Sequence, residues 1–206
     1  MVTAVEPLDK NRSKIYLDQE FAFVLYKGEL RLFHITVGSE LSEGDYGKIM
    51  SEILPTRAKK RAMNLLMKRE YTERRLYEKL REGEYPEHII REALDYVKSF
   101  RYVDDERYAL DFISNQAEDR SRRRMEQDLL ARGISGEIIQ RAFEKWQEVG
   151  GEQDETAMMH RLLQKRHFHP ETASREERER TAQFLIRKGF SWEKVRQVLD
   201  PDGFQT

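Results

Sequence analysis

Between Arg123 and Trp146 the apolar side chains fall at Met125, Leu129 and Leu130, pause at Gly133, and resume at Ile139, Ala142, Phe143 and Trp146. Spacings of three and four place each group on one helical face, so the stretch predicts two amphipathic helices with a glycine break between them. The pattern occurs three times, in Leu76–Val97, Met125–Trp146 and Thr181–Leu199. Each copy has an apolar residue three before its glycine (Leu80, Leu130, Ile186) and another soon after it (Tyr85, Ile134, Phe190). Each then runs into a second stripe: Ile90, Ala93 and Leu94; Ile139, Ala142 and Phe143; Val195, Val198 and Leu199. A further apolar helix precedes each pair, carrying Ala62, Leu65 and Leu66, then Ala109, Phe112 and Ile113, then Met159, Leu162 and Leu163. The unit is thus three helices. The glycines stand 50 and 56 residues apart, a period typical of helical repeat arrays.

Local chemistry agrees with this division. Gly83, Gly133 and Gly189 are positioned to end helices with φ > 0. Ser135 and Ser191 are placed as N-caps, Ser174 with Glu177 forms a capping box, and Asp104 and Asp105 open the helix of Ala109 and Phe112 as cap and first-turn acid. The only β-like stretch comes earlier. Lys14–Tyr26 contains two β-rich runs around Asp18-Gln19, with Ile15, Leu17, Phe21 and Phe23 set to share a buried face, which predicts a hairpin. Glu29–Phe33 alternates and reads as a candidate third strand. Ser42 opens a short helix striped by Ile49 and Ile53, and Pro55 marks the expected boundary. The expected fold is mostly α: tandem three-helix repeats with a small N-terminal β-hairpin. The expected divisions are 1–54, 55–103, 104–150 and 151–206, and residues 1–54 are expected to be removable without unfolding the rest.

Composition supports many small cores in place of one thick one: 36% of residues are charged and 38% hydrophobic. Cysteine is absent, which excludes disulfides and thiolate metal sites. No signal peptide or membrane-length apolar run is visible, so a cytoplasmic, soluble chain without a membrane contact is expected. The net charge of −1 conceals an uneven distribution. Residues 55–103 carry 13 basic and 8 acidic side chains, whereas residues 1–54 carry 6 and 9, and residues 104–150 carry 8 and 11. Residues 151–206 are balanced at 10 and 10.

Arg120, Arg122, Arg123 and Arg124 form the densest basic run. On a helix Arg120, Arg123 and Arg124 would share a face, and their guanidinium forks suit phosphate or carboxylate. Arg122–Glu126 and Arg124–Asp128 have ion-pair spacing, leaving Arg120 and Arg123 without such a partner. Lys59, Lys60, Arg61, Lys68, Arg69, Arg74 and Arg75 are the basic candidates of the first repeat, with Arg74 able to pair with Glu78. His160, His167 and His169 lack the spacing of a zinc site and read as surface histidines. Trp146 and Trp192 are assigned to packing. Nothing resembles a phosphate loop, a nucleophilic triad or a nucleotide fingerprint, so no catalytic residue, cofactor or metal is assigned.

The order of features resembles the RecX family, bacterial regulators of the RecA recombinase. Arg61–Tyr85 is similar to that family's first repeat, Phe100–Ile113 (FRYVDDERYALDFI) to its inter-repeat signature, and DLLARGISGEIIQRAF to its second-repeat core. The hairpin IYLDQEFAF resembles an N-terminal extension found in some members. The resemblance spans about residues 58–199 and implies a non-enzymatic array. It implies binding to RecA and to the RecA–DNA filament, usually inhibiting strand exchange, ATPase and coprotease activities, in DNA repair and the SOS response. A weak direct contact with DNA and a monomeric state complete these expectations. Arg166–Arg180 is an insertion relative to the pattern. The competing reading is a sequence-specific DNA-binding transcription factor using one helix–turn–helix. It is disfavoured because the unit repeats and because the helices after Gly83 and Gly133 begin with acidic residues.

Overall fold

The structure, a computed structural model of the chain, describes residues 1–199. The described residues divide into two compact units that meet between Asp104 and Asp105, and the expected last division, 151–206, extends past the described residues.

The first unit opens with three antiparallel strands, β1 (Val2–Pro7), β2 (Arg12–Leu17) and β3 (Glu20–Tyr26), in the order β1-β2-β3. The β2–β3 turn is made by Asp18 and Gln19, both with positive φ (49° and 73°), as a tight two-residue hairpin requires. Ile15 pairs with Phe23 and both are fully buried, as expected. Phe21 departs from the expectation. The pairing shifts between Ile15 and Tyr16, leaving Ala22 as an extra residue on β3. That bulge carries Phe21 out of phase, and it lies exposed against Tyr16, ring centroids 5.9 Å apart.

The third strand is Val2–Pro7, and Glu29–Phe33 is not a strand. The chain there forms helix α1 (Lys27–Leu32). The Glu29 carboxylate accepts the Tyr26 N–H at 2.7 Å, capping the helix start. Leu30 and Phe33, three apart, are turned into the core while Leu32 faces solvent, so the apparent alternation was a partial helical stripe.

Pro55 is not a helix boundary either. Helix α2 (Glu43–Lys48), capped by Ser42, runs through a π-helical turn at Ile49–Ile53 directly into α3 (Leu54–Leu66). Pro55 sits in the first turn of α3, where its missing N–H is tolerated. Helices α4 (Glu73–Arg81) and α5 (Glu87–Ser99) complete the first three-helix set. Its core is continuous with the sheet: Val2, Ile15, Phe23, Leu25 and Ile49 belong to one buried cluster with Ala58, Ala62, Leu76, Leu80, Ile90 and Val97. That shared core argues against the expectation that residues 1–54 can be removed harmlessly.

The second unit contains α6 (Asp105–Gln116), α7 (Arg122–Leu130) and α8 (Gly136–Glu148), then α9 (Glu155–Lys165), α10 (Arg175–Arg187) and α11 (Trp192–Leu199). Each triplet encloses its own buried cluster. The second stripes are buried in all three sets. At the end of each middle helix the register differs from the glycine alignment. Leu80 is buried, but in the later sets the buried residues are Leu129 and Leu185, and Leu130 and Ile186 are exposed. The cause is the turn. Gly133 (φ 88°) and Gly189 (φ 96°) take the left-handed position, whereas in the first set Glu84 (φ 58°), and not Gly83, does so. Trp146 is half-buried against the α6–α8 core, but Trp192 faces solvent at the first turn of α11, contrary to its assignment as packing.

The insertion Arg166–Arg180 becomes a loop plus the start of a lengthened α10, capped by the reciprocal Ser174–Glu177 box. The Arg178 guanidinium ties the loop down by donating to the Pro170 carbonyl at 2.8 Å.

Candidate polyanion interface

The arginine run surrounds the start of α7. Ser121 is buried and caps the helix, accepting the Arg124 N–H at 3.3 Å. Arg120 therefore lies before the helix and does not share a face with Arg123 and Arg124, contrary to what the sequence spacing suggests. Nor is it unpaired. Its guanidinium bonds to Asp128 Oδ2, and Arg124 reaches the other oxygen, Oδ1, at 3.0 Å. One carboxylate, only 14% exposed, thus holds two guanidiniums. Arg122 turns toward α8: it donates to Glu126 and to Gln140, each at 2.8 Å, and lies 4.4 Å over the Phe143 ring. Arg123 is exposed and, among the described residues, has no ion-pair partner. Of the four, Arg122 serves mainly packing, Arg120 and Arg124 are partly neutralised, and Arg123 is free. Converting Arg120, Arg123 and Arg124 to Ala together would leave Asp128 without its partners, so that variant would not be a clean surface probe.

Two cations not singled out in the sequence meet this run. The Ser121 N–H donates to the Lys188 carbonyl at 3.2 Å, bringing the end of α10 against the start of α7. Gly189 permits the approach: a Cβ there would fall 2.4 Å from Ser121 Oγ and 2.5 Å from Arg124 Cβ. Arg120, Arg124, Phe184, Arg187 and Lys188 consequently line one pocket of about 270 Å³. The available sequence signal was the basic pair standing directly before the third repeat glycine.

In the first unit the basic candidates are distributed differently. Lys59 is paired with Glu92 at 2.7 Å and sits 5.4 Å over Tyr96. Arg74 and Arg75 converge on Glu78 at 3.3 and 3.0 Å. Burial pushes the Glu78 carboxyl up, but the two guanidiniums outweigh it and hold it below the ordinary carboxylate value. Arg69 stacks 4.6 Å over Tyr71. Lys60 and Arg61 on α3, and Lys68 just beyond it, are exposed with no ion-pair partner among the described residues. Of the seven basic candidates in the first repeat, Lys60, Arg61 and Lys68 are therefore the ones with neither an ion pair nor a ring contact among the described residues.

The histidines are exposed; His167 ends α9 in the left-handed region (φ 53°). Among the described residues no group of three or more His, Asp or Glu is arranged to hold a metal ion, and no helix is long and apolar enough to cross a membrane.

Three successive three-helix sets following a small antiparallel sheet define a helical-repeat protein. Comparison with known proteins specifies the class. Family models for the RecX first, second and third three-helix domains match residues 58–96, 104–142 and 152–199, in that order and over more than half of the chain. The chain belongs to the RecX family. It is 27% identical over 202 residues to regulatory protein RecX of Caldanaerobacter subterraneus, covering 97% of this chain and 98% of that one. It is 28% identical over 193 residues to the RecX of Clostridium acetobutylicum, covering 92% and 89%. Its fold is similar to a crystal structure of regulatory protein RecX (TM-score 0.59, 23% identity, 98% of each chain). It is also similar to RecX from Lactobacillus salivarius (TM-score 0.54, 17% identity, 72% of this chain and 96% of that one).

Proposed function

We propose that this protein is a non-enzymatic cytoplasmic regulator that binds RecA and the RecA–DNA filament as a monomer and lowers recombinase, ATPase and coprotease activity. The observation that carries the reading is the ordered match of all three RecX domains, joined to near full-length similarity to regulatory RecX proteins. Repeat arrays present extended surfaces that suit an elongated partner. The alternative of a single base-reading helix is not favoured. The third helix of every set begins with an acid in its first turn, Glu87, Glu137 and Glu193, where a duplex-reading helix meets phosphates.

The test is RecA ATPase on single-stranded DNA with the protein titrated in, together with filament stability. Inhibition that saturates near stoichiometric protein supports the reading. An unchanged rate and an unchanged filament at saturating protein reject it. Footprinting on duplex DNA addresses the alternative, which requires a discrete protected sequence.

A further inference from the structure

We propose that the pocket formed by Arg120, Arg124, Arg187 and Lys188 is a phosphate-binding site. The inference stands apart from any action on RecA and rests on the pocket's own geometry and chemistry.

Three guanidiniums and one ammonium line a volume of about 270 Å³. The acid bonded to this set is Asp128, which already receives both Arg120 and Arg124. Arg187 and Lys188 have no ion-pair partner among the described residues. The set therefore offers many N–H donors and one acceptor. Folding has drawn together like charges from α7 and from the end of α10, and a concave site of one sign concentrates counter-ions of the other. The volume suits a small anion.

The donor surplus separates phosphate from carboxylate. A carboxylate has two oxygens, and Asp128 shows both of its own satisfied by two guanidiniums. A phosphoryl group presents more oxygens and more charge, and so can use cations arriving from several sides. Phe184 supplies the wall but not a stacking surface. Arg166 lies 4.4 Å from its ring centroid and Lys188 5.7 Å, so the ring is already engaged by cations. The pocket's shape is set by the Gly189 approach and the Ser121–Lys188 backbone bond, neither of which depends on the charged side-chain ends.

The phosphate could come from a nucleic-acid backbone or from a free polyphosphate. Two arms distinguish these sources, both using the full chain without RecA: anisotropy of a fluorescein-labelled oligo-dT, and calorimetric titration with inorganic tripolyphosphate. Acetate at matched ionic strength is the control. If the backbone is the source, oligo-dT binds. The Arg187→Ala/Lys188→Ala double variant then weakens binding about tenfold or more and makes the log K against log salt slope shallower by about 1.4, roughly 0.7 for each lost contact. Asp128→Asn should act in the opposite direction, tightening binding and steepening the slope by about 0.7. A purely structural role for these side chains would not produce that reversal. Tripolyphosphate binding that is lost in the double variant, without oligo-dT binding, supports the pocket and assigns a free polyphosphate. The proposal is overturned if neither probe binds, if acetate competes equally, or if the folded double variant binds both probes like wild type. The double variant alters solvent-accessible side chains and keeps the test valid even if Asp128→Asn fails to fold. Failure of the wild-type chain to bind either probe, with RecA inhibition intact, would reject the pocket and leave the proposed function standing; probe binding that the double variant loses, in a chain that leaves RecA activity unchanged, would do the reverse.

Discussion

Arg57 offers the most informative perturbation of the first unit. Its guanidinium joins three segments: Nη1 bonds Glu29 at 2.8 Å, Nη2 bonds the Val24 carbonyl, and the group lies 4.8 Å over Tyr26 and 5.9 Å from Tyr85. The pair is largely enclosed, 16% and 20% exposed, so solvent screens it incompletely. Each charge-assisted hydrogen bond contributes about 1.5 kcal/mol at the low end. The aromatic contact adds about 0.5–1 kcal/mol. Against these stands Arg57 Nε, buried without a hydrogen-bond partner, a penalty of about 1 kcal/mol. The net for Arg57→Ala is about 3 kcal/mol of destabilisation. At about 4 °C per kcal/mol for a unit near 100 residues, the first unit should melt roughly 12 °C lower. Arg57→Lys should recover little, because an ammonium cannot reach Glu29 and Val24 as a fork. The assay is thermal denaturation followed by circular dichroism, with a double-mutant cycle against Glu29→Gln, whose coupling should be about 1 kcal/mol or more. A shift under 3 °C for Arg57→Ala, or a coupling indistinguishable from zero, would refute the reasoning. The sheet would then be attached to the helices by apolar contact alone.

Further outcomes follow from particular contacts. A fragment beginning at Thr56 should lose cooperative structure in its first three-helix set while 105–199 stays folded, because Val2, Ile15, Phe23, Leu25 and Ile49 share the core of that set; amide exchange protection would report it. Gly189→Ala should destabilise the second unit by at least about 2 kcal/mol, combining a left-handed φ with contacts near 2.4 Å, as measured by thermal melting. His34→Gly should stabilise the first unit by about 0.5 kcal/mol, since His34 holds φ 51° at a helix end; a lower melting temperature would oppose this. The hydrogen bond from Lys145 holds the Glu106 carboxyl below its ordinary value against burial, with Arg141 assisting. A depressed carboxyl pKa gives stability that is present above the unfolded value and lost as pH falls through the folded one. The stabilities of wild type and Glu106→Gln should therefore differ at neutral pH, by no more than about 1 kcal/mol, and converge only as pH falls through the depressed Glu106 value.

The helices and their triplication were legible because burial of a helical face requires apolar residues every three or four positions. Ile90, Ala93 and Leu94 and their two counterparts follow that requirement without reference to any other segment. Serine caps at 135 and 174 are equally local, since a hydroxyl needs only the N–H three residues onward. The middle-helix alignment was less legible. A glycine can mark the left-handed residue or stand beside it, and only the turn geometry selected Glu84 over Gly83 and hence Leu129 over Leu130.

The sequence by itself determined the helical faces, the repeat and the excess of positive charge in the first repeat, because each depends on residues within a turn or two of one another. Tertiary structure decided what the charges do. Arg120 and Asp128 are eight positions apart and pair only because Arg120 precedes a capped helix instead of belonging to it. Arg187 and Lys188 join Arg120 and Arg124 only because Gly189 lets two backbones approach. Likewise Val2–Pro7 became the third strand in place of Glu29–Phe33 once Glu29 was committed to capping a helix and to Arg57. Periodicity specifies which face of an element is buried, but an ion pair or a pocket is a distance between elements, and that distance exists only after the cores have packed.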